Sequence, residues 1–297
     1  MITRKQLFLY DFYQIYHKIR IIFGLGKLPD FLIIGAPKSG TTYLWKVLSS
    51  HPQVQMSPYF RRIERFTGSQ NGKGKRYCNR KEIKYFCARQ VNDIRWYKAF
   101  FNNNDKLQGE ATPTYLTFIA CHEQMYRTLP NAKLIIILRN PVLRSFSNYN
   151  HMKFLKFPWI YPFERNKNYF DIEEGFRENV ELEIKANYKS GFILRPSFYI
   201  DQIESLLKFY KKDQLLILIK EEVEKNPEET YREICFFLNI EPKPLSIDLN
   251  DKVGLAPYLE RMDNETGKML YELFVPYNKR LYEFLGREIK EWGTNTY

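Results

Sequence analysis

Residues 31–42 read Phe31-Leu-Ile-Ile34-Gly35-Ala-Pro-Lys38-Ser39-Gly40-Thr41-Thr42, and their order decides the fold. Four apolar residues of strand length run into a turn-forming Gly-Ala-Pro, and Thr41 to Ser50 then carries Leu44, Val47 and Leu48 at helical spacing. A strand, a tight turn and a helix start collect unpaired backbone N–H groups and the positive end of a helix dipole at one spot, a ready anion site. The stretch is close to the Walker pattern G-x-x-x-x-G-K-[ST] but displaced: Lys38 precedes Gly40, and Thr41 stands where the Walker Lys would be. The next strong strand, Lys133 to Leu138, ends in Arg139, where a nucleoside triphosphatase would want an acid to help hold magnesium. The spacing therefore predicts an anion site that works without metal.

Strands and helices alternate outward from this centre. Lys106 to Glu110 reads as a weaker strand followed by a helical stretch from Tyr115 to Leu129. After Leu138, Asn140-Pro141 supplies a favoured N-cap and a favoured first helical residue. The amphipathic stretch Tyr199 to Tyr210 precedes a strand at Leu215 to Ile219. Pro227 opens a helix to Leu238, and a last helix lies around Lys268 to Leu285. Repeated β-then-α order predicts an α/β fold, a parallel β-sheet flanked by helices on both faces. Residues 29–297 read as one domain, preceded by an aromatic helical segment at 1–28. Nine basic residues against two acids fall between Arg61 and Lys84, among Gly68, Gly72 and Gly74. That region, at about 59–80, reads as a long surface loop or a small basic insertion.

Composition sets outer limits. The 297 residues carry 46 Lys or Arg against 34 Asp or Glu, a formal charge of +12, with 44% hydrophobic residues. That is a globular composition. A bilayer-spanning helix needs a run of about 20 apolar residues, and the sequence has none. The first 27 residues lack the uninterrupted apolar stretch of a signal peptide, so a cytoplasmic protein is expected, with peripheral membrane contact left open. Cys78, Cys87, Cys121 and Cys235 are too irregularly spaced for a disulfide framework and read as reduced thiols. His17, His51, His122 and His151 are scattered without a carboxylate-bearing motif, so no metal is expected. The aromatic run Leu7 to Phe23 fits either a helix docked on the core or an interfacial membrane helix, and docking is favoured.

Lys38-Ser-Gly-Thr-Thr42, together with Leu138-Arg139-Asn140-Pro141-Val-Leu-Arg144-Ser-Phe-Ser147-Asn-Tyr149, resembles the two signature segments of sulfotransferases that use 3′-phosphoadenosine 5′-phosphosulfate. Further matches are to the heparan-sulfate type and related bacterial enzymes. Lys81-Glu82-Ile83-Lys84-Tyr85-Phe86 resembles their Lys-Glu-Pro-x-Tyr-Phe segment, and Gly109 to Tyr115 their next one. The chain departs from many heparan-type members at Ala111, where they carry Lys, and at Lys252-Val-Gly254, where they carry a disulfide-bearing loop.

The resemblance implies a P-loop-like sulfotransferase fold and 3′-phosphoadenosine 5′-phosphosulfate as co-substrate. By it, Lys38, Ser39, Gly40, Thr41 and Thr42 bind the 5′-phosphosulfate, Arg139 and Ser147 the 3′-phosphate, and Lys252 makes a further phosphate contact. Lys38 also serves catalysis by neutralising the leaving phosphate. Glu82 is implied as the base that takes the acceptor proton, with Glu110 in reserve. The acceptor is expected to be a hydroxyl of a glycan, a glycolipid or another small molecule. A P-loop nucleotide kinase is the alternative enzyme class. The high positive charge also admits a nucleic-acid-binding protein, but no nucleic-acid motif accompanies it, and no nucleic-acid partner is expected.

Overall fold

A computed structural model of the chain describes residues 15–57, 60–66, 74–87, 93–154, 174–188, 191–250, 258 and 261–293. In chain order its elements begin with helix α1 (residues 15–22), strand β1 (Phe31–Gly35), α2 (Thr41–Ser49), β2 (Val54–Met56), β3 (Phe60–Phe66) and β4 (Gly74–Arg80). Then come α3 (Ile94–Lys98), β5 (Leu107–Ala111), α4 (Thr114–Thr117), α5 (His122–Thr128), β6 (Lys133–Leu138) and α6 (Pro141–Phe154). The remainder comprises α7 (Phe176–Lys185), α8 (Tyr199–Leu207), β7 (Leu215–Ile219), α9 (Lys220–Lys225), α10 (Pro227–Leu238) and α11 (Asn264–Leu285).

Five strands form a parallel sheet in the order β2-β5-β1-β6-β7. Both faces are covered, which is why β1 and β6 read as unbroken apolar runs and not as alternating ones. Alternate residues serve opposite cores. Leu32, Ile34, Leu134, Ile136 and Leu138 pack with Tyr115, Ile200, Ile203 and Leu281 on one side. Phe31, Ile33, Ile135 and Ile137 pack with Leu44, Leu48, Ile234 and Leu238 on the other. The predicted parallel sheet with helices on both faces is thus present.

Two expectations need correction, and one strand was not expected. The basic stretch is not a structureless loop: β3 and β4 pair as an antiparallel hairpin in register from Phe60 opposite Arg80 to Phe66 opposite Gly74. The glycines that signalled a break lie between or at the start of strands. The single helix expected from Tyr115 to Leu129 is divided into α4, a 3-10 turn at Ile119–Cys121 and α5. Phe118 leaves helical backbone at φ −90°, ψ 77°, and the carbonyl of Tyr115 pairs with the ring of His122 at 3.0 Å. The short strand β2 was not foreseen. Cys87, Cys121 and Cys235 are free thiols.

Candidate active site

The carboxyl ends of β5, β1 and β6 are neighbours in the sheet, and the candidate residues gather beyond them. Lys38 and Gly40 both take left-handed backbone, at φ 67° and 112°. Alternation of this kind builds an anion-binding nest. Glycine is required at 40, since any Cβ there is strained and would lie 3.2 Å from Ile137 Cδ1. No side chain caps the N-terminus of α2 and no acid occupies its first turn, so its dipole is uncompensated. Ser39 and Thr41 are buried within the loop, and Thr42 is half-buried.

Arg139, half-buried at the end of β6, donates to the Lys38 carbonyl at 3.4 Å and to the Tyr258 hydroxyl at 3.3 Å. Asn140 is the N-cap of α6: its Oδ1 accepts from the N–H groups of Val142 (3.0 Å) and Leu143 (3.2 Å). Pro141 then starts the helix, and Ser147 lies half-buried about two turns on. Lys252 lies outside the described residues.

Positive charge is crowded here. Burial, and then the charges of Arg139 and Arg144, pull Lys38 down to about 8. Lys81, 5% exposed, donates to Thr41 Oγ1 at 3.3 Å and to the Ala111 carbonyl at 3.5 Å. Burial pushes it down to about 8 as well, against the opposing pull of Glu82 and Glu110. Arg144 is wholly buried, donating to Ser197 Oγ, Ser145 Oγ and the Ile193 carbonyl. Buried cations that depress one another's protonation make a site suited to several negative charges.

Glu82 pairs with Lys84 at 3.3 Å and sits on a segment fastened to the end of β5. Lys84 N–H donates to Thr112 Oγ1 (3.4 Å) and Tyr85 N–H to the Tyr115 hydroxyl (2.9 Å). Behind both stands Glu110, wholly buried, accepting from Tyr97 (2.5 Å), Thr112 (2.9 Å) and Tyr115 (3.1 Å). Burial raises its pKa to about 7 even against these hydrogen bonds. Its oxygens accept from three hydroxyls, so it braces the segment that carries Glu82.

Two residues escaped sequence reasoning. Lys81, named in the sequence only as the start of the Lys81–Phe86 segment, reaches the anion loop through Thr41 Oγ1. His151 was dismissed with the other histidines. It lies one turn past Ser147 on α6, a same-face spacing that could have flagged it. Its Nδ1 is buried without a hydrogen-bond partner among the described residues. Burial first and the charge of Lys38 next lower its pKa to about 4, while Glu82 raises it, so both proposed catalytic side chains act on this ring. No group of three or more His, Cys, Asp or Glu is placed to hold a metal ion among the described residues.

A parallel sheet with an anion loop after one inner strand and a cation ending the next defines an α/β protein with a candidate polyanion site. The family model for the sulfotransferase domain matches residues 28–253, and the chain belongs to that family of enzymes. It is 27% identical to the membrane-associated sulfotransferase kil1 of Dictyostelium discoideum, covering 89% of this chain and 66% of that protein. It is 24% identical to human heparan sulfate glucosamine 3-O-sulfotransferase 5, over 92% of this chain and 76% of the relative. The crystal structure of a sulfotransferase from Alicyclobacillus acidocaldarius shares the fold, with a TM-score of 0.65 at 24% identity, over 90% of this chain and 99% of that one.

Proposed function

We propose that the protein transfers a sulfuryl group from 3′-phosphoadenosine 5′-phosphosulfate to a hydroxyl of a glycan or glycolipid, with residues 29–297 as the catalytic unit. The observation that carries this is the convergence of Lys38, Lys81 and Arg139 on the uncapped start of α2. A donor bearing phosphates at both ends of its ribose matches that charge, and the glycan-directed relative suggests the acceptor class. Lys38 and the backbone N–H groups of residues 39–42 would hold the 5′ end, and Arg139 with Ser147 the 3′-phosphate.

The donor supplies an activated sulfur whose bond to a phosphate oxygen breaks as a bond to the acceptor oxygen forms. Glu82 takes the proton that the acceptor hydroxyl loses. Lys38 and the loop amides neutralise charge on the departing phosphate, a preorganised contribution of about 3 kcal/mol per donor in comparable sites. His151, kept neutral by burial and the charge of Lys38, offers its Nδ1, unpartnered among the described residues, as a further polar group for the acceptor. The test is transfer of labelled sulfate from the donor to a panel of glycans and glycolipids. Labelled product in metal-free buffer is expected. Donor binding without transfer to any hydroxyl would remove the acceptor assignment.

A further inference from the structure

Helix α1 is amphipathic in the inverted sense. Two of its polar residues face the protein: His17 and Arg20 are each 6% exposed, with the His17 ring 4.2 Å from that of Phe100. Arg20 donates to Asn102 Oδ1 at 2.6 Å and to the Phe101 carbonyl. Its apolar residues face out. Ile15, Ile19, Ile22 and Phe23 follow one helical stripe, and Ile22 and Phe23 are 72% and 71% exposed. Of the ten large apolar side chains exposed among the described residues, six lie between Ile15 and Leu25. A docked helix that only covered the core would turn this stripe inward.

Charge decides what covers it. Residues 15–29 include Lys18, Arg20 and Lys27 and no acid, and Lys18 is exposed beside the stripe. Lys27 is paired with Asp30 at 3.0 Å. A second copy packed symmetrically on this face would set Lys18 against its own image. An anionic lipid surface meets both features at once, taking the apolar stripe below the headgroups and the lysine among them. We propose that residues 15–25 seat the protein on an anionic bilayer as a monotopic helix. Among the described residues no helix is long and apolar enough to cross a membrane.

The test is co-sedimentation of the full chain with phosphatidylcholine vesicles, with and without phosphatidylserine. The comparison is an Ile22→Ser/Phe23→Ser double variant, which keeps every charge, so general attraction of a +12 chain is separated from the stripe. Wild type should partition onto the phosphatidylserine vesicles and the double variant at least about tenfold less, with unchanged thermal unfolding, since both side chains are solvent-exposed. Lys18→Glu should weaken the dependence on phosphatidylserine. Equal binding by wild type and double variant would overturn the proposal, as would absence of wild-type partitioning. A dimer in sedimentation velocity that the double variant dissociates would give the face to a second copy.

Discussion

The proposed base, Glu82, sits on a segment whose backbone Glu110 fixes through Thr112 and Tyr115. The two acids therefore have separable effects. Glu82→Gln keeps shape and removes basicity, so turnover should fall by roughly 10² to 10⁴ while affinity for adenosine 3′,5′-bisphosphate stays near wild type. Lys38→Ala should damage both if, as proposed, Lys38 meets the leaving phosphate before and during transfer. Equal loss of bisphosphate binding in Glu82→Gln would contradict the division. The lysines set a pH dependence. Lys38 and Lys81 each titrate at about 8 in the free protein, below the ordinary lysine value. Below that pH both are charged and ready for an anion; above it, binding must take up protons. Bisphosphate affinity measured by calorimetry should thus hold steady up to about pH 8 and fall beyond it, by up to about tenfold per pH unit for each lysine recruited. At this scale the sequence disclosed what is contiguous. Lys38 and Arg139 sit inside short motifs, whereas the contacts of Lys81 with Thr41 and Ala111 join residues far apart in the chain.

Helix α6 carries Ser147 and His151, so its starting point sets where both side chains fall. Asn140 fixes that start through two capping hydrogen bonds, and its own N–H donates to Glu221 at 2.9 Å. Asn140→Ala should cost about 1 kcal/mol of stability, a few degrees in the melting temperature by circular dichroism, and should weaken bisphosphate binding along with it. An unchanged melt would mean that the cap is not what holds the helix end. This boundary was legible because Asn-Pro after a buried strand has one good local solution. The hairpin β3–β4 was not, because the adjacent pairs Arg61-Arg62 and Lys75-Arg76 break any period-two alternation and the glycines between them fit a solvated loop. Nor was the break at Phe118, since the ring of His122 takes a carbonyl that a continuous helix would use.

Over the whole molecule, the chain's far end returns to the site. Trp292, 2% exposed, donates to Glu221 Oε2 at 3.1 Å, while Oε1 of the same carboxylate holds Asn140. The 3-10 turn Lys290–Trp292 and the corner after β6 thus share one anchor, a link between residues 71 and 81 positions apart that no local pattern announces. The sheet, by contrast, was readable from Phe31 to Ile34 and Lys133 to Leu138, because burial on both faces demands continuous apolar runs. The proposed site at the carboxyl end of this sheet is one for a nucleotide phosphorylated at its 3′ and 5′ ends. Thermal unfolding in the presence of a chelator tests it most directly. Adenosine 3′,5′-bisphosphate at about a hundred times its dissociation constant should stabilise the protein by about 2.7 kcal/mol, and adenosine 5′-monophosphate at equal concentration far less. Stabilisation by ATP that requires magnesium, with no response to the bisphosphate, would contradict the claim and point to a kinase.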